Sequence, residues 1–120
     1  MNTKRAPKVF ITQVPSRRDS ESNLWVPTVN YSPAKKFGEV EIILPAGSQF
    51  YAPDETVRVI KARLKELDFQ QGDYLLPMGS PVIMAVTAAI AARRCGGCLN
   101  ILSWDKHSDG YEVATLDNLI

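Results

Sequence analysis

The spacing of apolar residues between positions 39 and 104 predicts strands that alternate with helices. Residues 39–44, Glu-Val-Glu-Ile-Ile-Leu, begin with alternation, finish fully apolar and stop at Pro45, which is typical of a strand. Asp54 then provides a candidate N-cap for a helix. Residues 73–77, Asp-Tyr-Leu-Leu-Pro, indicate a short strand buried in a parallel sheet. The helix between these strands presents one apolar face, at spacings of three and four residues: Val57, Ile60, Leu64 and Leu67.

A second helix is predicted to begin at Ser80 and Pro81, an N-cap followed by a proline at the first helical position. Residues 82–92 carry no charge on any side, so we predict that this helix is buried all round. Arg93 and Arg94 follow where the helix dipole favours cations. Gly96-Gly97 then ends the helix.

Three further strands complete the predicted fold. Residues 8–14 form an N-terminal strand that stops at Pro15, and residues 99–104 and 111–115 form a C-terminal β-hairpin. Alternation of strands and helices favours parallel pairing. We therefore predict one small α/β domain over residues 1–120, with a mixed, mainly parallel sheet, a βαβαβ core and two helices.

Residues 16–38 are polar and interrupted by proline, which predicts a long loop. Residues 24–26 and 28–29 are the only candidates for short extended pieces in it, and Pro27 would confine such a piece to a sheet edge. Residues 1–7 are predicted to be a flexible basic N-terminus.

Composition excludes several classes of protein. The 120 residues are 45% apolar and 22% charged, close to the average of globular proteins. The longest uncharged stretch is broken at residues 77–81, which leaves too few helical residues for a membrane span. The basic N-terminus is followed by no apolar segment, so we predict no secretion signal and a cytoplasmic protein.

The charge is balanced in total and uneven in position. The first 38 residues carry seven Lys and Arg against two acidic residues, a charge of +5, and the rest of the chain carries −4. Such asymmetry favours an acidic or phosphate-rich partner. Alternatively, the basic N-terminal arm folds over a domain of opposite charge, and the two charges neutralise each other. The predicted partner-binding residues are Lys4, Arg5, Lys8, Arg17, Arg18, Trp25, Lys35 and Lys36.

Two cysteines form the pattern Cys95-Gly96-Gly97-Cys98, which is compatible with redox chemistry or with half a metal site. They follow the C-terminus of a helix, where a thiolate is disfavoured. Zinc would also need His107 and a carboxylate as ligands. Two ordinary thiols that flank a helix end are the simpler interpretation, and we predict neither a metal nor a cofactor.

The turn at residues 77–81 lies at the carboxyl end of a parallel strand, where ligands bind in open α/β sheets. Gly79 and Ser80 are therefore candidate anion-binding residues, although no nucleotide-binding motif is present. Ser80 with His107 as base would be a candidate for hydrolysis. Pro81, however, lacks the N–H that the residue after such a nucleophile supplies, so we assign no catalytic residue.

The pattern of this chain resembles that of a known group of proteins. The resemblance rests on residues 73–81 and 100–106 and on the alanine-rich helix and Gly-Gly between them. Over residues 73–112 the chain resembles small uncharacterised proteins of tailed bacteriophages. The resemblance implies a phage or mobile-element context and assigns no active-site residue.

The sequence favours a non-enzymatic protein that binds a host or viral protein through its basic N-terminal segment and loop, as an inhibitor or modulator. Nucleic acid is the other macromolecular partner that the sequence allows, since aromatic residues accompany the basic ones. Two alternatives remain open. One is a nucleotide-binding or anion-binding protein, or a small enzyme, that uses Gly79 and Ser80. The other is an assembly component that oligomerises through the edge strand of the C-terminal hairpin.

Overall fold

A computed structural model describes residues 5–45 and 52–120 of the chain. The strands are β1 (Lys8–Gln13), β2 (Ser16–Arg18), β3 (Trp25–Pro27), β4 (Glu39–Leu44), β5 (Tyr74–Leu76), β6 (Leu99–Asp105) and β7 (Gly110–Leu116). The α-helices are α1 (Pro53–Glu66) and α2 (Pro81–Arg94), and Ser32–Phe37 forms a 3-10 helix. All five predicted strands and both predicted helices are present, and each strand end lies within one residue of its predicted position.

Five strands form one sheet in the order β4-β1-β5-β6-β7. β1 lies between β4 and β5 and pairs with both in parallel. β6 is parallel to β5, and β7 returns antiparallel to β6. The predicted α/β fold class, with a mixed, mainly parallel sheet and a C-terminal hairpin, is confirmed.

Alternate residues of β1 belong to two hydrophobic cores on opposite faces of the sheet. Phe10 packs in a core with Ile60 of α1 and Ile83 of α2. Val9 packs in a second core with Ala34 of the 3-10 helix. Because successive side chains of a strand point to opposite faces, the α-helices cover one face and the 3-10 helix covers part of the other.

Helix α1 shows the predicted apolar face but not the predicted cap. Ile60 and Leu64 are buried in the core. The helix begins at Pro53 with Ala52 as N-cap, so the prediction of Asp54 as N-cap is wrong. Proline suits the first helical position because it has no N–H to satisfy there, and it starts the helix one residue before Asp54.

The prediction that α2 is buried all round is wrong. Ile83, Thr87 and Ala91 face the core, whereas Val82 and Ala89 are exposed. Both α-helices lie on the same face of the sheet, and alanine adds too little apolar area to draw a helix further inside. Apolar surface is therefore available outside the basic segment as well. Within the described ranges, no helix is both long and apolar enough to cross a bilayer.

Both ends of α2 lie where the sequence places them. Ser80 occupies the N-cap position, although its side chain makes no capping hydrogen bond. At the other end, the N–H of Gly97 donates to the carbonyl of Ala92 at 2.7 Å, and the N–H of Gly96 donates to the carbonyl of Arg93 at 3.4 Å. This pair of bonds is a Schellman motif, which satisfies carbonyls that the last helical turn leaves free.

The segment predicted as a loop, residues 16–38, contains regular structure. β2 and β3 pair antiparallel as a separate two-stranded sheet, the β2–β3 hairpin, and the 3-10 helix follows. β3 ends at Pro27 and pairs on one side only, as expected for a strand that contains a proline. β3 overlaps the candidate extended piece at residues 24–26, whereas β2 was not predicted, because a strand of three residues is too short for a periodicity to be recognised.

Candidate functional site

The β2–β3 hairpin carries the predicted binding residues Arg17, Arg18 and Trp25. In its antiparallel register, Arg18 lies opposite Trp25 and Arg17 lies opposite Val26. Because side chains alternate along a strand, Arg18 and Trp25 share one face of the hairpin and Arg17 points to the other. The two neighbouring arginines are therefore divided between faces, and only Arg18 stands beside the tryptophan.

The turn that closes the β2–β3 hairpin is organised by Asp19. Its carboxylate accepts hydrogen bonds from the hydroxyl of Ser22 at 2.7 Å and from the N–H of Ser22 at 3.1 Å. The N–H of Asp19 donates to the carbonyl of Leu24 at 2.8 Å. The bonds from Ser22, the hydroxyl first, hold the pKa of the Asp19 carboxyl below its usual value. The carboxylate stays ionised at neutral pH, and the turn is organised before any partner binds.

A largely apolar cleft of about 540 Å³ opens at the carboxyl ends of β5 and β6. The rings of Trp104 and Tyr111 meet edge to face in it, with their centres 5.1 Å apart. Val29 and Asn30, which follow β3, line the same cleft and connect it to the β2–β3 hairpin. Asn30 and Ser103 contribute polar side chains, Tyr111 and Trp104 add a hydroxyl and an indole N–H, and the lining residues carry no formal charge. The cleft therefore suits an uncharged, apolar group rather than a phosphate.

The turn between β5 and α2 is held by side chains of β1. The hydroxyl of Thr12 accepts from the N–H of Met78 at 2.8 Å and donates to the carbonyl of Met78 at 2.5 Å. The Gln13 side-chain oxygen accepts from the N–H of Ser80 at 2.8 Å. A Cβ at Gly79 would fall 2.4 Å from that oxygen, so glycine permits this approach.

These contacts reduce what the turn can offer an anion. The N–H of Ser80 is already bonded to Gln13, and Pro81 has no N–H to donate. Two of the donors with which a helix N-terminus binds phosphate are therefore engaged or missing. Gly79 and Ser80 stay predicted anion-binding residues, with fewer donors than the sequence indicates.

The N-terminal basic residues are engaged inside the domain. The guanidinium of Arg5 lies 2.6 Å from the carboxylate of Asp73, and Nζ of Lys8 lies 3.0 Å from the carboxylate of Glu41. Arg5 also donates to the carbonyl of Asp68 at 2.6 Å. This part of the arm is bound to acidic residues of the domain, as the self-neutralising alternative expects.

The remaining predicted basic residues lie elsewhere. Lys35 and Lys36 are exposed in the last turn of the 3-10 helix, and Nζ of Lys36 lies 5.1 Å from the centre of the Phe37 ring. Lys4 lies outside the described residues. Among the predicted binding residues that the structure describes, the exposed basic ones are therefore on two separate elements, the β2–β3 hairpin and the 3-10 helix.

Neither cysteine is set up as a nucleophile. Burial raises the pKa of the Cys95 thiol, and the carboxylate of Asp73 adds to that effect. The thiol of Cys98 donates to the carboxylate of Asp117 at 3.3 Å, and this bond raises the pKa of Cys98. His107 is exposed in the turn between β6 and β7. Across the described ranges, no group of three metal-ligating side chains is close enough to hold an ion.

Alkylation is expected to be slower in the folded protein than in the unfolded chain at pH 7.5, because the thiolate is the reactive form and folding disfavours it at both cysteines. Thiols whose folded pKa is raised stabilise the fold fully below their unfolded pKa, and they lose that contribution as pH rises through the folded pKa. Iodoacetamide labelling followed by mass spectrometry, with and without urea, measures the alkylation rates of the folded and the unfolded chain. Equal rates in both states would contradict the prediction of slower alkylation in the folded protein.

Comparison with protein-family models gives a match over residues 7–118, to the family described as phage Pam3 gp32-like protein. The resemblance to phage proteins, based on residues 73–112, is confirmed and extends over nearly the whole chain. Comparison with curated proteins and with solved structures gives no match. With its described strands, helices and cleft all within the matched region, the chain belongs to the phage Pam3 gp32-like family.

Proposed function

We propose that this phage protein is a non-enzymatic binding protein that recognises a host or viral protein through the β2–β3 hairpin. It would act in the cytoplasm of the infected cell as a modulator of the protein it binds. The observation that carries the proposal is the pairing of Arg18 with Trp25 on one face of an exposed hairpin. Trp25 is 42% exposed, and the adjacent Leu24 is 64% exposed.

Exposed tryptophan and arginine are the side chains that most often dominate the binding energy of protein interfaces. A domain of this size would ordinarily bury a tryptophan, because the ring contributes so much apolar area to a core. The ordered Asp19 turn reduces the entropy that the hairpin loses on binding. Trp25 therefore suits a central apolar contact, with Arg18 beside it for a carboxylate on the partner.

The cleft extends this surface, since Val29 and Asn30 connect it to the β2–β3 hairpin. An apolar side chain of the partner fits beside Trp104 and Tyr111, where the lining has no charge. Nucleic acid is less favoured than protein. Arg5 and Lys8 are neutralised in ion pairs, and Arg17 and Arg18 point to opposite faces, so these residues do not form a track for a phosphate backbone.

The double substitution R18E/W25A is expected to abolish capture of the partner. Loss of the tryptophan contact alone costs about 2 kcal/mol or more at such a position, roughly a thirtyfold loss of affinity. The tagged protein and the variant are compared as baits in nuclease-treated lysate of infected cells, with quantitative mass spectrometry. The captured partner is then purified and its affinity measured by calorimetry.

The matched control is K61E, a charge reversal at an exposed position of α1. It is expected to leave partner capture unchanged, and circular dichroism checks that both variants are folded. The proposal is rejected if R18E/W25A binds the same partner with the affinity of K61E. Binding that disappears with nuclease treatment would instead identify nucleic acid as the partner.

A further inference from the structure

The two edges of the five-stranded sheet differ in how their backbone is protected. At the β4 edge, the Arg63 guanidinium donates to the carbonyl of Ile42 and to the carbonyl of Ile43, each at 2.9 Å. Nζ of Lys8 and the carboxylate of Glu41 add an ion pair where β1 meets β4. Charged side chains of this kind keep an edge strand from pairing with another chain.

The β7 edge has the opposite character. β7 pairs with β6 without a break over all seven of its residues, so no bulge interrupts the strand. It contains no proline, and its single charge is that of Glu112. Val113 is 43% exposed and Leu116 is 38% exposed, although they point to opposite faces of the sheet. A long, straight edge with apolar side chains on both faces is a template for strand addition.

We propose that β7 pairs antiparallel with β7 of a second copy of this chain, about a two-fold axis at Ala114. The two five-stranded sheets then join into one sheet of ten strands. An axis that passes through a residue is required, because residues opposite each other in a sheet must point to the same face. In this register Val113 lies opposite Thr115 of the second copy, and Glu112 lies opposite Leu116 of the second copy.

A second copy fits this edge because β7 is complementary to itself in that register. A two-fold interface presents the same surface on both sides, so like charges must not meet across the axis. The two Glu112 side chains are about 14 Å apart along the strands, since four residues at about 3.4 Å each separate them. That separation exceeds the screening length of about 10 Å at 0.1 M salt. A two-fold axis at Val113 would halve the separation of the two Glu112 side chains.

The contacts across the proposed axis are also favourable in shape. Val113 opposite Thr115 brings two β-branched side chains together, a pairing that stabilises sheets, and Ala114 leaves room at the axis itself. On the helix side, Leu116 borders an apolar groove with Leu119 and Ile120. Dimer formation would place the second copy beside Leu116 at the border of this groove and would shield part of the apolar surface of the groove from water.

Two double variants at the same positions test the proposed register. V113K/T115K places lysine opposite lysine twice, and V113E/T115K places glutamate opposite lysine twice. We expect the unmodified protein and V113E/T115K to be dimers by sedimentation equilibrium. V113K/T115K should have a dimer dissociation constant raised at least about a hundredfold, because like charges directly opposite destabilise a strand pair. Both variants remove the same hydrogen bond from Thr115 to Asn100, so this loss does not separate them.

A second measurement covers the case in which a variant fails to fold. Hydrogen exchange of the unmodified protein is followed at several concentrations, and amides of β7 should become slower to exchange as concentration rises, whereas those of α1 should not. The proposal is overturned if the unmodified protein is a monomer throughout and its β7 amides show no such dependence. It is also overturned if a dimer forms that both double variants dissociate equally.

Discussion

Replacement of Asp73 with alanine is expected to reduce the free energy of unfolding by about 3–5 kcal/mol. The Asp73 carboxylate is 2% exposed and accepts four hydrogen bonds. Two come from the guanidinium of Arg5, at 2.8 and 2.6 Å, and two come from the N–H groups of Lys8 and Gln70, at 2.9 and 2.8 Å. Alanine would leave these donors without their acceptor beside the start of β1. Such a loss is a large part of the 5–15 kcal/mol that stabilises a typical domain.

Urea denaturation at one fixed protein concentration measures the effect, since dimer formation would make the stability depend on concentration. E66Q is the control, because Glu66 is exposed and its carboxylate lies 3.4 Å from Arg63 in an ion pair at the surface. That variant is expected to lose no more than about 0.5 kcal/mol. If the midpoints of D73A and E66Q coincide, the Asp73 contacts do not stabilise the fold as proposed here.

Local patterns were sufficient to predict most elements of this fold. Strand β4 has the predicted limits, and Ile60 and Leu64 of α1 face the core as their spacing indicates. Each of these predictions depends on residues close together in the chain, where side-chain periodicity and turn-forming residues determine the structure. The prediction of Asp54 as N-cap is wrong although it also depends on neighbouring residues, because Pro53 favours a helix start one residue earlier.

Strand order is what the sequence could not supply. β1 is inserted between β4 and β5, and its pairing with β5 joins residues more than sixty positions apart in the chain. Thr12 and Gln13 belong to no motif, yet they bind the turn at Met78 and Ser80 because β1 lies beside β5. Their contribution to the candidate site follows from an arrangement that depends on packing of the whole domain.

The β2–β3 hairpin shows the same limit at shorter range. A loop prediction for residues 16–38 treats Arg17 and Arg18 as one basic pair, whereas strand pairing sends them to opposite faces. The same pairing brings Arg18 next to Trp25, a contact that charge counting does not reveal. The candidate site is thus a product of register, and net charge alone indicated only the segment in which it lies.

The substitution G38A is expected to reduce the free energy of unfolding by about 3–5 kcal/mol, as much as D73A. Gly38 joins the 3-10 helix to β4 with φ of +155°, a conformation that costs other residues about 1–3 kcal/mol. A Cβ there would lie 2.3 Å from the carbonyl oxygen of Pro7 and 3.2 Å from Cα of Lys8. These are backbone atoms at the start of β1, so relief of the clash would have to move a central strand, which adds about 1–3 kcal/mol.

G72A separates the clash from the backbone strain. Gly72 also has a positive φ, of +98°, but no atom lies within 4 Å of the position that its Cβ would take. It should therefore lose only the strain, about 1–2 kcal/mol. Thermal and urea denaturation of both variants measure the difference, and near-ultraviolet circular dichroism of G38A should show altered packing of Phe37 on Tyr74, whose ring centres are 5.6 Å apart. Equal losses in the two variants would mean that the close approach of Gly38 to Pro7 does not hold the 3-10 helix against the sheet.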